Sequence, residues 1–152
     1  MGQQQLLLLV LGIILVGLAV IVGISAFNEN QRKFRQDQTI NLMVDLASKA
    51  QIWKMTSETM GGGSGSNDDD FSDFTLDAIG LQATGTQGSN DFILRTEYTC
   101  LKLFPQSRRL RINALDVDCS NGSWWYRVDV TGIHDEDITT RMNTSNANNN
   151  GQ

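Results

Sequence analysis

Twenty-one residues, Leu6 to Ala26 (LLLLVLGIILVGLAVIVGISA), contain no charge, no proline and one hydroxyl, Ser25. A run of about 20 such residues spans a bilayer core as a helix. A helix on the surface of a water-soluble domain carries a polar stripe, and this one is apolar all round. It must therefore be covered on every side, by lipid or by other protein. Beyond Phe27 the chain turns polar, yet no proline or glycine interrupts it before Gly61. The pattern predicts one helix to about Met60, with an apolar half over residues 1–27 and an amphipathic half over 28–60. In the second half Ile40, Met43, Ala47, Ala50 and Lys54 fall near one face, flanked by Val44, Leu46 and Trp53. That face is expected to pack on the domain that follows. Asp45 and Lys49 are spaced for a solvated i,i+4 pair. Gly12, Gly17 and Gly23 read either as ordinary membrane-helix glycines or as points of close helix approach.

A cleaved secretory signal has a basic leader, a shorter apolar core and a small-residue cleavage site. None of these surrounds Leu6, so the segment is read as retained. Arg32, Lys33 and Arg35 follow it directly, and the positive-inside tendency would place that side in the cytoplasm. The cysteine pair and the Ser/Thr/Asn-rich remainder point to the opposite side. A basic leader upstream would reconcile the two.

Gly61-Gly62-Gly63-Ser64-Gly65-Ser66-Asn67 closes the helix and opens a loop over residues 61–73. Asp68, Asp69 and Asp70 lack the alternating ligand spacing of a calcium loop and read as a solvated turn. Residues 74–143 then read as an antiparallel β meander of three or four strands. A short strand is expected over Phe74–Leu81 and a long one over Phe92–Phe104, with Phe92, Leu94, Tyr98 and Cys100 on one face. A turn is expected at Pro105-Gln106-Ser107. Arg109–Val117 and Trp124–Thr131 follow as strands. Leu110, Ile112 and Ala114 face inward on the first, and Trp124, Tyr126, Val128 and Val130 on the second. Ile133–Met142 is either a last short strand or irregular, and the Asn-rich tail, 144–152, is expected to fray. The fold class is thus α+β, a long N-terminal helix on a small antiparallel sheet.

Cys100 and Cys119 are the two cysteines of the chain. A bond between them would close a modest loop, worth about 3 kcal/mol by chain entropy, and would suit a small extracytoplasmic domain. Simple hairpin register does not set them opposite one another, so Cys119 must fold back from its loop. Residues 61–152 hold seven Lys/Arg against thirteen Asp/Glu, which argues against nucleic-acid binding by bulk charge. Arg108, Arg109 and Arg111 form a small basic cluster, suited to carboxylates or phosphates but read first as a solvated strand face. Asp116 to Gly122 only faintly resembles a calcium loop, since its glycine is one place late and Arg127 stands where the closing glutamate belongs. Asn121 and Asn143 begin N-glycosylation triplets. His134 sits alone among Asp135, Glu136 and Asp137 and reads as solvated. The sequence offers no nucleophile–base pair, no phosphate loop and no CxxC, so no enzymatic activity, metal or cofactor is expected.

A retained apolar helix running into an amphipathic half, a Gly-rich loop, an antiparallel sheet and a late cysteine pair together resemble the type IV pilins and their relatives. Gly2-Gln3-Gln4-Gln5 before the leucine run is similar to the processing region of archaeal-type and divergent bacterial pilins. The resemblance implies a leader trimmed by a prepilin peptidase near Gly2 or Gln3, a membrane-inserted precursor and an assembly machinery in the inner membrane. It further implies an extracellular filament of identical subunits whose apolar helices bundle in the core. Leu6, Leu9, Leu11, Ile14, Leu18 and Ile21 would be the core-packing residues. The glutamate that many bacterial pilins carry five residues into the mature chain has no counterpart: Gln5 or Leu7 stands there. The proline common near the end of the apolar half is also missing. Two other readings use the same residues. One is a single-span membrane protein whose β domain binds a partner; the other is a pseudopilin or minor pilin of a secretion or uptake machine.

Overall fold

A computed structural model of the chain describes residues 2–63, 65, 67–86, 91–115, 119 and 124–143. The chain divides into two compact units, Met1–Gln38 and Thr39–Gln152. Helix α1, Gly2–Met55, supplies all of the described first unit and opens the second.

In the first unit no described residue is buried. Ser25, the one hydroxyl of the apolar run, turns back and donates to the Ile21 carbonyl at 3.1 Å, so it adds no unsatisfied polar group to the apolar surface. Where the sequence becomes polar, Lys33 Nζ meets Glu29 Oε1 at 2.9 Å, one turn apart. The hydrogen bond from Lys33 and its charge hold the Glu29 carboxyl below its ordinary pKa.

The second unit is built on the amphipathic face of α1. Thr39, Met43, Leu46, Ala47, Ala50, Gln51, Trp53 and Lys54 are buried, at the three- and four-residue spacing of one helix face. Val44, expected to flank this face, is exposed, and Ile40 is half-buried. The helix ends at Met55 rather than Met60. Thr56 Oγ1 donates to the Ile52 carbonyl at 2.7 Å, the Thr56 N–H is shared between the Ile52 and Trp53 carbonyls, and Ser57 turns to extended backbone. Local hydroxyl and shared bonds thus close the helix before the glycines do. A single 3-10 turn, Glu58–Met60, follows, and Gly61 takes the left-handed conformation at φ 83° that glycine adopts without strain. The glycine loop then folds back onto α1. Trp53 Nε1 donates to the Gly61 carbonyl at 3.0 Å, and a Cβ on Gly63 would lie 2.5 Å from the Trp53 ring.

No strand forms over Phe74–Leu81. Asp77–Ile79 is a 3-10 turn, and the Leu76 carbonyl accepts from both Ile79 and Leu81 N–H. Phe71, Phe74 and Leu76 are buried in the core, with Phe74 edge-on to Trp53 at a ring distance of 5.2 Å. Burial at these spacings comes from a compact coil folded over the core, not from strand alternation.

Six antiparallel strands form one meander in chain order: β1 Gly85–Thr86, β2 Phe92–Arg95, β3 Cys100–Gln106, β4 Arg109–Leu115, β5 Tyr126–Val130 and β6 Ile138–Met142. The expected long strand Phe92–Phe104 is a hairpin. Thr96 and Thr99 clamp its turn: Thr96 N–H and Oγ1 both donate to the Thr99 carbonyl, and Thr99 N–H returns a bond to Thr96 Oγ1. The alternation changes phase across this turn. Phe92 and Leu94 point inward before it, and Leu101 and Leu103 after it, opposite each other in register. The next turn lies at Ser107-Arg108, and β3 runs through Pro105 to Gln106. Pro105 stands past the last described β2 pairing, Phe92↔Leu103, so among the described residues no strand on that side needs its missing N–H. The segment Ile133–Met142 resolves into a 3-10 turn, Asp135–Asp137, and strand β6. The core is the layer between the inner sheet face (Leu101, Leu103, Leu110, Ile112, Ala114, Val128, Val130) and Met43, Leu46, Ala47, Ala50 and Trp53 of α1. The fold is therefore α+β, with the amphipathic part of the helix packed on a six-stranded antiparallel sheet.

Candidate functional site

Three features could carry function: the uncovered apolar helix, the disulfide end of the sheet, and the sheet face turned away from α1.

Along the first, every large apolar side chain from Leu6 to Ile24 is between 45 and 68 % exposed. The six candidate packing residues share this state: Leu6, Leu9, Leu11, Ile14, Leu18 and Ile21 are all exposed, and at about 100° per residue they occupy a little over half of the helix circumference. A Cβ added to Gly12, Gly17 or Gly23 would meet nothing within 4 Å, so no packing among the described residues explains these glycines. The helix is long and apolar enough to cross a membrane, with none of its apolar window buried. Gly2 and Gln3, the leader-processing candidates, are exposed at its start.

Cys100 and Cys119 form a disulfide with a Cα–Cα distance of 5.4 Å. Cys100 pairs in register with Leu115, four residues short of Cys119, and Cys119 turns back at φ 55° to reach it. This is the fold-back that the spacing demanded. Both sulfurs sit with Leu115 and partly buried Ile93 in a small cluster separate from the main core.

The outer sheet face is the surprise of the second unit. Strand register places Ile93, Lys102, Asn113, Arg127 and Arg141 in one row across five strands, and Phe104, Arg111, Asp129 and Thr139 in the next. Arg95 and Arg109 fall on the same face by alternation. All seven Lys/Arg of residues 61–152 therefore lie on this face or, as Arg108, in the turn that ends it. Asp129 is the one acid among its strand positions. Arg111 Nε bonds Asp129 Oδ1 at 3.0 Å, and the Asp129 side chain is 6 % exposed. Arg127 Nε donates to Asn113 Oδ1 at 3.0 Å, and its guanidinium lies 4.0 Å from the Trp124 ring centre. Burial, followed by the crowding of Arg111, lowers the Arg127 pKa; Asp129 opposes the shift, and Arg141 and Arg109 add to it. The sequence singled out Arg108, Arg109 and Arg111 but missed Arg95, Lys102, Arg127 and Arg141, because only strand register gathers them.

Of the buried polar residues of α1, Lys54 lies on the face expected to pack, whereas Gln51 escaped the sequence reading. Gln51 Nε2 donates to the Gly132 carbonyl at 3.0 Å and the His134 carbonyl at 2.7 Å, tying the helix to the segment before β6. Lys54, 2 % exposed, donates from Nζ to the Gly63 carbonyl at 2.6 Å. His134 is exposed and its N–H is held by Asp137 Oδ2 at 3.0 Å. Among Asp68–Asp70, Asp70 Oδ1 accepts the Ser72 N–H, a turn bond that lowers its pKa. Among the described residues no group of His, Cys, Asp and Glu is arranged to hold a metal ion. Asn143 N–H bonds the Trp125 carbonyl, closing the β5–β6 edge, while Asn121 and the calcium-like stretch at 116–118 and 120–122 lie outside the described residues, as does the tail at 144–152.

No family model, curated protein or solved structure matches this chain.

Proposed function

We propose that this chain is the structural subunit of an extracellular, type IV pilus-like helical filament, assembled by bundling its N-terminal apolar helices. The observation that carries this reading is the fully uncovered apolar run from Leu6 to Ile24. Before assembly, lipid covers that surface and the helix anchors a membrane-inserted precursor. Once the chain is drawn out of the membrane, other copies are the available cover. Identical copies that meet through non-closing head-to-tail contacts build an open helix, not a ring. Neither Gln5 nor Leu7 offers a carboxylate, so packing of the side chains themselves sets the register. A prepilin peptidase and an inner-membrane assembly machinery are the partners this reading requires. The disulfide-stapled sheet domain supplies the outer wall.

The test is intact mass and N-terminal sequencing of fibres sheared from cells that express the chain. The expected result is this chain as the main component, beginning near Gly2 or Gln3 and two hydrogens lighter than its reduced form. Recovery only from the membrane fraction, as single copies, refutes the reading in favour of a single-span anchor.

A further inference from the structure

The second unit is electrically two-sided. Its outer sheet face carries Arg95, Arg109, Arg111, Arg127, Arg141 and the largely buried Lys102; among the described residues the acids set against them are Asp129 within the strands and Asp91, just before β2 and beside Lys102. Arg127 and Arg141 stand directly opposite each other in register, an arrangement that opposes pairing of their strands. Among the described residues only Arg111 of this set has an acid within ion-pair distance. Behind the sheet the sign reverses. The 67–80 segment folds over the core through Phe71, Phe74 and Leu76, and its Asp68, Asp73 and Asp77 are exposed. Glu58 is exposed just before it. The basic residues on that side are committed: Lys49 pairs with Asp45 at 2.8 Å, and Lys54 is buried on the Gly63 carbonyl. The sheet and the layer packed on its inner face lie about 10 Å apart, beyond the screening length of about 8 Å at physiological salt. Each face therefore acts with its own sign despite the net charge of −5.

We propose that the basic outer sheet face of one copy docks against the acidic 68–77 segment of the next. The occupant is a second copy of this chain, because the complementary surface is present on the same molecule. The two patches differ, so the contact is heterologous and does not close, which suits a growing helix. Copies held in an array meet at high effective concentration, so individually weak pairs act together. This inference rests on the filament reading and adds to it the contact made by the sheet domains.

The experiment uses full-length chain. Arg109→Glu with Arg141→Glu, both exposed positions, should lower the yield of sheared fibres at least tenfold. Asp73→Arg with Asp77→Arg should do the same. Combining all four should restore the yield to within about threefold of wild type, which a merely structural defect would not do. Unchanged melting of each variant in detergent confirms that the domain is intact. In parallel, Arg141→Lys chains, mixed from two isotope labels and treated with a carbodiimide, should crosslink through the introduced amine to Asp73 or Asp77 of a differently labelled copy. Fibres that tolerate both reversals, or a quadruple variant no better than the pairs, overturn the proposal and leave the filament reading standing. So does a double reversal that abolishes retention of the chain on a sulfated polysaccharide column while its fibres stay normal. If wild type makes no fibres, the filament reading fails alone. Inter-copy crosslinks in membranes then uphold the docking contact, and their absence overturns it.

Discussion

Replacing Ile14 by lysine tests the filament reading at its physical root. Fifteen Leu, Ile and Val side chains between Leu6 and Ile24 keep 45 to 68 % of their surface exposed in the isolated chain. Complete burial of such a side chain is worth about 1.5–3 kcal/mol, so roughly 1–2 kcal/mol remains available at each. The run thus offers on the order of 15–30 kcal/mol per copy to whatever covers it, before the entropy of association is set against it. Ile14 is 53 % exposed, so its share is about 1 kcal/mol or slightly more. A lysine at the centre of an apolar helix costs about 2.5–3.5 kcal/mol. The membrane-held precursor bears part of the same cost, so about 4 kcal/mol per copy, roughly a thousandfold in each assembly step, is the upper limit of the loss from the bundle. Membrane insertion should survive, because the other large apolar residues remain. The assay compares sheared-fibre yield with the amount of chain in the membrane pellet, using Ile14→Leu as the volume-conserving control. Ile14→Lys should remain in the membrane and give no fibres, whereas Ile14→Leu gives both. Fibres of Ile14→Lys at wild-type yield would refute the argument that these helices are buried against one another.

Replacing both Cys100 and Cys119 by alanine removes a cross-link across 19 residues and should lower the stability of the sheet domain by about 3 kcal/mol, or roughly 10–15 °C in Tm. Thermal melts in detergent measure this, and fibres that do form should be more easily digested by protease. Gln51→Ala strips the Gly132 and His134 carbonyls of their shared donor and should cost about 2 kcal/mol; Gln51→Glu should cost more, since it sets a buried carboxylate against two carbonyl oxygens. Denaturant melts of the three chains give the order. Burial raises the Asp91 pKa, with Lys102 opposing. The native state therefore holds that proton more tightly than the unfolded chain. The associated stability is complete below the ordinary aspartate range and is lost as pH rises through the raised value. Asp91→Asn should remove this decline, so its Tm should gain on wild type as pH rises from the ordinary aspartate range toward neutrality.

The helix, its two halves and the fold class were legible because each depends on patterns within one segment. An apolar run without a polar stripe and a three-four repeat after it are read from consecutive residues, and the strand cores at 109–115 and 126–130 alternate cleanly. Short-range competition spoiled the boundaries. The Thr56 hydroxyl and the extended backbone at Ser57 ended α1 before the glycines could, and Leu76 gathered local hydrogen bonds where alternation suggested a strand. The Phe92–Phe104 hairpin left a sign in the sequence: the inward residues shift from even to odd across Thr96–Thr99.

What the chain's residues determined alone is an apolar rod that cannot satisfy itself and a sheet domain with one greasy side, since both follow from how neighbouring side chains repeat along a helix or strand. What only the tertiary structure decided is which distant residues share a surface. Arg95, Lys102, Arg109, Arg111, Arg127 and Arg141 are scattered over 47 positions and become one basic face through strand register, a long-range property that a single slip of pairing would have turned inside out. Gln51 and the carbonyls it serves lie 81 and 83 residues apart, and their bonds exist because the sheet returns the chain to the helix.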